Sequence, residues 1–247
     1  MSAALDVAPI LREYGGAARA TMARYLPSAD GADGLEPRRW LYDLVADYPR
    51  RGGRSLRPSL CIATARAFGG SIDEALGTAA SIELFHNALL IHDDIEDESE
   101  ERRGQPALHL LHGVPLALNA GDALLLAALQ PLLDNCGVVG ADVAWRVLDE
   151  TNRMARETVE GQAIELGWRN DNAVDVNEDA YLEMVLKKTC WFGMIYPARV
   201  GAIIGARGAV DDAWLDELVR YGFLLGAAFQ VQDDLLNLVG DHASYGK

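Results

Sequence analysis

The chain has 247 residues, half of them hydrophobic, and a formal net charge of −15. That length can bury a large core as one domain or two closely packed parts, and the acidic balance excludes nucleic acid as a general partner. The N-terminus "MSAALDVAPILREYGG" lacks the basic-then-apolar order of a signal peptide, and Asn119, Asp122 and Pro131 interrupt the best apolar run before it reaches a membrane-spanning ~18 residues.

Few aromatics and abundant Ala and Leu favour helix, and helical periodicity dominates with no convincing strand alternation. Helices are predicted near 5–25, 37–48, 56–69, 72–98, 115–133, 139–167, 178–206 and 211–239. Gly and Asn/Asp clusters punctuate them at "SADGADG", "YPRRGGRS", "RNDNAVDVNED" and "RGAVDD". Long helices with short connections predict an all-α protein, a large antiparallel bundle. The stretch 115–133 is hydrophobic all round, which suits either a dimer interface or a fully buried central helix. Cys61, Cys136 and Cys190 form an odd set without CxxC spacing and read as buried thiols in a reducing compartment. A cytoplasmic protein without a transmembrane segment is expected.

The helix predicted at 72–98 ends in "LLIHDDIEDESEERRG", where seven acids fall between Asp93 and Glu101, interrupted only by Ile95 and Ser99 and followed by Arg102 and Arg103. In a helix Asp93 and Asp97 share a face, with Asp94 beside them and His86 about two turns earlier on the same side. Converging carboxylates repel unless a cation neutralises them. Hard oxygen donors suit Mg²⁺, which bridges protein carboxylate to substrate phosphate. A solvated helix end is the plainer reading of a lone DDxxD. The pattern recurs in "VQDDLLN", where Gln230, Asp233 or Asp234, and Asn237 fall on one stripe of an apolar helix. Aspartates among that many apolar neighbours are not simply solvated. Asp93 and Asp233 are therefore expected to face each other across a bundle interior.

The basic residues are grouped as well. "RRGGRSLRP" sets Arg50, Arg51, Arg54 and Arg57 in a Gly-rich turn before a helix, where N–H groups and guanidinium forks favour a diphosphate. Lys187, Lys188 and Thr189 interrupt an otherwise apolar helix, as a snorkelling surface pair or as a phosphate contact.

Taken in order, "GGRSLRP", "HNALLIHDDIED", "RRGQPALH", "NAGD", "EGQAIEL", "KKT" and "GAAFQVQDDLLNLVGD" with a later "GK" resemble the trans-polyprenyl diphosphate synthase family, which includes the geranylgeranyl and farnesyl diphosphate synthases. The resemblance implies the isoprenoid synthase fold around a central cavity, and head-to-tail condensation of isopentenyl diphosphate with an allylic diphosphate. It assigns Arg54, Arg57, His86 and Arg103 to isopentenyl diphosphate. Arg102, Lys188, Thr189, Gln230 and Lys247 are assigned to the allylic diphosphate. Asp93, Asp94 and Asp97 are assigned to two Mg²⁺, and Asp233 with support from Asp234 to a third. Asp93, Asp94, Lys188 and Asp233 then carry the catalytic charge, while Gln162 and Glu165 help line the elongation site. A homodimer is also implied.

Three departures accompany the resemblance. Ser55 stands where the family commonly has a second basic residue, Asn237 replaces the last Asp of the second motif, and the single domain expected over 1–247 lacks the family's C-terminal helices. A product of about geranylgeranyl length is expected, because Ala88 leaves the cavity wall open below Asp93 and Phe85 offers a floor. A class I terpene cyclase and a non-catalytic subunit of a heteromeric prenyl synthase are the rival readings.

Overall fold

The computed structural model describes residues 7–26 and 37–239, apart from the side chains of Asn237 and Leu238. Helix α1 (Ala8–Ala23) carries proline in its first turn, where a missing N–H is harmless. Helix α2 (residues 38–50) opens with a π-helical turn, Arg38–Tyr42, and continues as Asp43–Val45 and Asp47–Arg50. A turn through Gly52, Gly53 and Ser55, all at positive φ, leads into α3 (Leu56–Ala67). A capping box starts α4 (Ile72–Glu96): Ser71 Oγ accepts from Glu74 N–H at 3.2 Å while Ser71 N–H donates to Glu74 Oε2 at 2.8 Å.

The next element is one that periodicity did not predict. Strand β1 (Glu101–Arg102) pairs antiparallel with β2 (Gln105–Pro106). Arg103 and Gly104, at φ 56° and 71°, form the two-residue turn that favours left-handed residues. Four paired residues are too few to alternate, and this is the only strand pairing among the described residues, so the all-α class stands. The chain then forms α5 (Leu108–His112), α6 (Val114–Ala127) and α7 (Leu129–Val138). Helix α8 (Ala141–Asp171) stops at left-handed Asn172. Helix α9 (residues 178–205) is capped by Asn177, whose side chain accepts from Ala180 N–H, and has a π-helical centre, Leu186–Ile195. Helix α10 (Asp212–Val239) completes the described chain.

These elements sort into two compact units. One comprises the chain to Ser59 with Leu76–Asn135, and the other comprises Leu60–Ala75 with the chain from Cys136. Among the described residues each boundary falls inside a helix (α3, α4 or α7), so no linker there marks the division in composition.

In the first unit α4 runs antiparallel to α6 and α7. Thr78 accepts from Asn135 Nδ2 at 2.9 Å, Ser81 Oγ donates to the Ala128 carbonyl at 2.7 Å, and His92 Nε2 lies 3.4 Å from Asp122 Oδ1. Ile82, Leu84, Ala88 and Ile91 of α4 are buried, as are Leu124 of α6 and Leu132 of α7. The outer side of α6 and α7 is different: Leu118, Leu126, Leu129 and Leu133 are exposed, so this is not a fully buried central helix. By length and composition Val114–Val138 is long and apolar enough to cross a membrane, with mean hydropathy 1.5 and 39% of it buried. Single polar residues break an apolar run without lowering its average much, which is why counting uninterrupted residues passed over it.

In the second unit the buried central helix is α9, with every residue from Cys190 to Gly205 buried. Its neighbours approach closely. A Cβ on Gly161 of α8 would collide with the backbone of Lys188, and one on Gly226 of α10 would lie 2.7 Å from Cys190 Sγ. Arg199, 4% exposed, donates to Glu150 Oε2 at 2.7 Å and Oε1 at 2.5 Å, and to the Leu215 carbonyl at 2.7 Å. A buried arginine is tolerable because three acceptors replace its water.

Candidate functional site

The site residues of the first unit gather around the end of α4. Tyr48 is fully buried under the Arg51 guanidinium, which lies 4.6 Å from its ring centroid. The Tyr48 hydroxyl donates to Asp94 Oδ2 at 2.5 Å and accepts from Leu108 N–H at 3.1 Å. Arg102 closes on the same carboxylate, its Nε 3.0 Å from Oδ1 and 3.1 Å from Oδ2, with Nη2 also donating to Oδ1. Asp94 has no exposed surface and its oxygens face protein donors. Asp93 is half-buried, with Oδ2 3.9 Å from Arg102 Nη2, and Asp97 is exposed one turn later. The three acids read as one patch in the sequence therefore occupy two environments.

The arginines divide in the same way. Arg51 pairs with Asp47 at 2.6 Å and donates to the carbonyls of Arg102, Gln105 and Pro106, stapling the hairpin to α2. Arg103, at the hairpin tip, donates to the Tyr48 carbonyl at 3.0 Å and to Asn87 Oδ1 at 3.5 Å. Arg54 is exposed, Arg57 half-buried. His86 is held well below the ordinary histidine range by burial and then by the Arg57, Arg103 and Arg102 charges. It stays neutral at neutral pH.

In the second unit the π-helical centre of α9 carries Lys187, Lys188 and Thr189. Such wide turns recur at functional sites, and nothing in the helical periodicity announced this one. Lys187 pairs with Glu157 at 2.8 Å and Glu160 at 2.6 Å, and Lys188 pairs with Glu165. Thr189 Oγ1 donates to Gln230 Oε1 at 2.7 Å, Gln230 Nε2 to Asp234 Oδ1 at 2.9 Å, and the Tyr181 hydroxyl to Asp234 Oδ2 at 2.5 Å. Burial, then Asp234, pushes the Tyr181 phenol upward, so it remains a donor. Asp234 is thus engaged by protein donors, whereas Asp233 is exposed. Gln162 is half-buried on α8. Lys247 and the Asn237 side chain lie outside the described residues.

Sequence reasoning missed Tyr48, Tyr181 and the stapling role of Arg51. Nothing in the sequence singled out Tyr48 or Tyr181, because no local spacing ties either to an aspartate about fifty positions away. Among the described residues no three His, Cys, Asp or Glu side chains are drawn together as a ready metal cage. Carboxylates at helix surfaces suit a hydrated cation better, since Mg²⁺ keeps several waters and takes one or two protein carboxylates. Asp93, Asp97 and Asp233 fit that description.

The polyprenyl synthetase family model matches residues 38–247. The short chain isoprenyl diphosphate synthase of Methanothermobacter thermautotrophicus is 40% identical over 197 residues, 79% of this chain and 58% of its own length. The geranylgeranyl diphosphate synthase of Saccharolobus solfataricus is 34% identical over 198 residues, 79% of this chain and 57% of its own. Among solved structures, geranylgeranyl pyrophosphate synthetase from Pyrococcus horikoshii aligns with a TM-score of 0.86 at 31% identity, covering 98% of this chain and 69% of that one. The chain thus spans less than three fifths of the length of these two curated relatives.

Proposed function

Because the chain belongs to the polyprenyl synthetase family, we propose that it performs the Mg²⁺-dependent head-to-tail condensation of isopentenyl diphosphate with an allylic diphosphate, giving a trans-prenyl diphosphate of about geranylgeranyl length. The observation that carries this reading is the cationic cluster at the end of α4. In a protein of net charge −15, Arg102 closes on Asp94 and Arg103 on the Tyr48 carbonyl and Asn87, beside the acid patch, and their charges with that of Arg57 help hold His86 neutral. A general acidic surface has no use for that arrangement, and a diphosphate does.

In this reading Arg54, Arg57 and Arg103 hold the isopentenyl diphosphate, and His86 donates a hydrogen bond to it without taking up a proton. Arg102, Lys188, Thr189, Gln230 and Lys247 grip the allylic diphosphate. Asp93, Asp97 and Asp233 hold Mg²⁺. Asp94 and Asp234, enclosed by donors, anchor Arg102 and Gln230 instead of coordinating. About three Mg²⁺ ions, when bound, supply positive charge to the diphosphate as the allylic carbon–oxygen bond ionises. The isopentenyl double bond attacks carbon 1 of the allylic cation, and the proton lost in closing the step passes to the departing diphosphate. Glu165 releases Lys188 to the allylic diphosphate as that anion arrives.

A homodimer accompanies this reading, supported by the exposed Leu110, Leu111, Leu118, Leu126, Leu129 and Leu133 on α5 to α7. A cytoplasmic setting is supported by the free Cys61, Cys136 and Cys190, of which Cys136 is exposed where the sequence suggested a buried thiol. Incubation with isopentenyl diphosphate, Mg²⁺ and allylic primers of three lengths, with sizing of the products, tests the reading. Elongated prenyl diphosphates are expected. Cyclised or merely hydrolysed primer, with isopentenyl diphosphate unconsumed, would overturn it.

A further inference from the structure

The Gly-rich turn is held by a residue that no motif contains. Arg19 of α1 donates from Nη1 to Ser55 Oγ at 2.7 Å and to the Gly53 carbonyl at 3.3 Å. Ser55 passes its own proton on, donating to Glu83 Oε1 at 3.2 Å. Glu83 is 2% exposed, three residues before His86 on α4. Helix α1 comes this close because of Gly15, one turn before Arg19 on the same face, where a Cβ would lie 3.0 Å from Ser55 Cβ. On the other side of the turn Arg103 packs against Gly53, where a Cβ would meet its Nη2 at 2.9 Å. Arg19 and Arg103 therefore bracket Gly53.

A carboxylate as buried as Glu83 needs compensating charge. Burial pushes its pKa up, and Arg103, the Ser55 hydroxyl, Arg57 and Arg19 draw it back down. Two of those cations, Arg103 and Arg57, are the ones assigned to the substrate. Charge they spend on Glu83 is charge withheld from a diphosphate. Arg19 lies on a different helix and before the span 38–247 that matches the family. Ser55, which stands in the turn itself, has no charge to offer.

We propose that Arg19 is a positioning residue for isopentenyl diphosphate: through Ser55 its guanidinium neutralises Glu83 and pins the Gly53–Ser55 turn, leaving Arg57 and Arg103 to the diphosphate. The inference rests on the functional reading above and adds to it a specificity residue contributed by α1. A loss at Arg19 is expected to fall on isopentenyl diphosphate, because the relay ends on Glu83, whose charge is shared by Arg103 and Arg57.

The test compares wild type, Arg19→Gln and Arg19→Lys by calorimetric titration with isopentenyl diphosphate and, separately, with an allylic diphosphate and Mg²⁺, alongside the Tm of each protein. Glutamine keeps a hydrogen bond to Ser55 without charge, and lysine keeps the charge. Arg19→Gln is expected to weaken isopentenyl diphosphate about tenfold and the allylic ligand by less than about twofold, with Arg19→Lys within about threefold of wild type for both. Unchanged isopentenyl diphosphate binding in Arg19→Gln would overturn the inference. Equal weakening of both ligands with a fallen Tm, or no advantage of lysine over glutamine, would also overturn it by reducing Arg19 to a packing role. Wild type binding neither ligand would instead sink the functional reading and this inference with it.

Discussion

The Tyr48 hydroxyl donates to Asp94 Oδ2 at 2.5 Å, across forty-six positions of sequence, and so turns the second acid of the DDxxD motif inward. With Arg102 on the same carboxylate, Asp94 is an anchor for the hairpin. Asp94→Ala leaves a half-buried guanidinium and a buried hydroxyl without their acceptor, and is expected to cost about 3–5 kcal/mol. Tyr48→Phe removes one charge-assisted hydrogen bond and is expected to cost about 1.5–3 kcal/mol. Urea unfolding of both variants checks this. An Asp94→Ala protein as stable as wild type would return Asp94 to the exposed set.

Asp93 and Asp97 are expected to behave oppositely. Asp93→Ala and Asp97→Ala should fold with stability within about 0.5 kcal/mol of wild type, as for surface changes. Turnover should fall roughly a thousandfold in each, and added Mg²⁺ should restore little of it. Initial rates across a Mg²⁺ series, beside a melting curve, separate loss of charge stabilisation from loss of fold.

The half-buried His86 sets an acid limit. The folded pKa of His86 lies below its ordinary value of 6.5, so the unfolded chain binds the extra proton first as pH falls. Its contribution to stability is complete above about pH 6.5 and is lost as pH falls from there through the folded value. Glu83 has the opposite sign: its raised pKa favours the folded state in acid, and that contribution is lost as pH rises through the folded value. Stability measured from pH 7.5 down to 5 is expected to fall more steeply in wild type than in His86→Gln. Parallel slopes would show that His86 takes up its proton without penalty.

Product length should depend on the α4 wall. Ala88 is fully buried about 7.5 Å along the helix from Asp93, with Phe85 about 12 Å away and 9% exposed. Ala88→Phe is expected to shorten the product by one or more isoprene units, and Phe85→Ala to lengthen it, read by chromatography of the dephosphorylated prenols. Unchanged product distributions in both variants would place the floor on another helix.

The exposed leucines of α6 and α7 predict their own partner. Leu126, 70% exposed, and Leu133, 54% exposed, are expected to lie in the homodimer contact. The double variant Leu126→Asp/Leu133→Asp should sediment as a monomer at micromolar concentration where wild type sediments as a dimer. Identical sedimentation of the two would remove these residues from any such contact.

Helix content, the placement of seven of eight long helices to within a few residues, and the identity of the acid and basic clusters were legible in the sequence, because periodicity and motif order are local properties. For 115–133 the sequence showed only an apolar stretch; packing split it into α6 and α7 with an exposed outer face. Spacing alone placed Asp93, Asp94 and Asp97 on one helix, yet not in different environments. That depended on Tyr48 arriving from α2 and Arg102 from a six-residue hairpin. The same reason hides Arg19, whose guanidinium meets Ser55 thirty-six positions later only because Gly15 lets α1 approach. A carboxylate's chemistry is set by the donors that tertiary packing brings against it, and those donors come from anywhere in the chain.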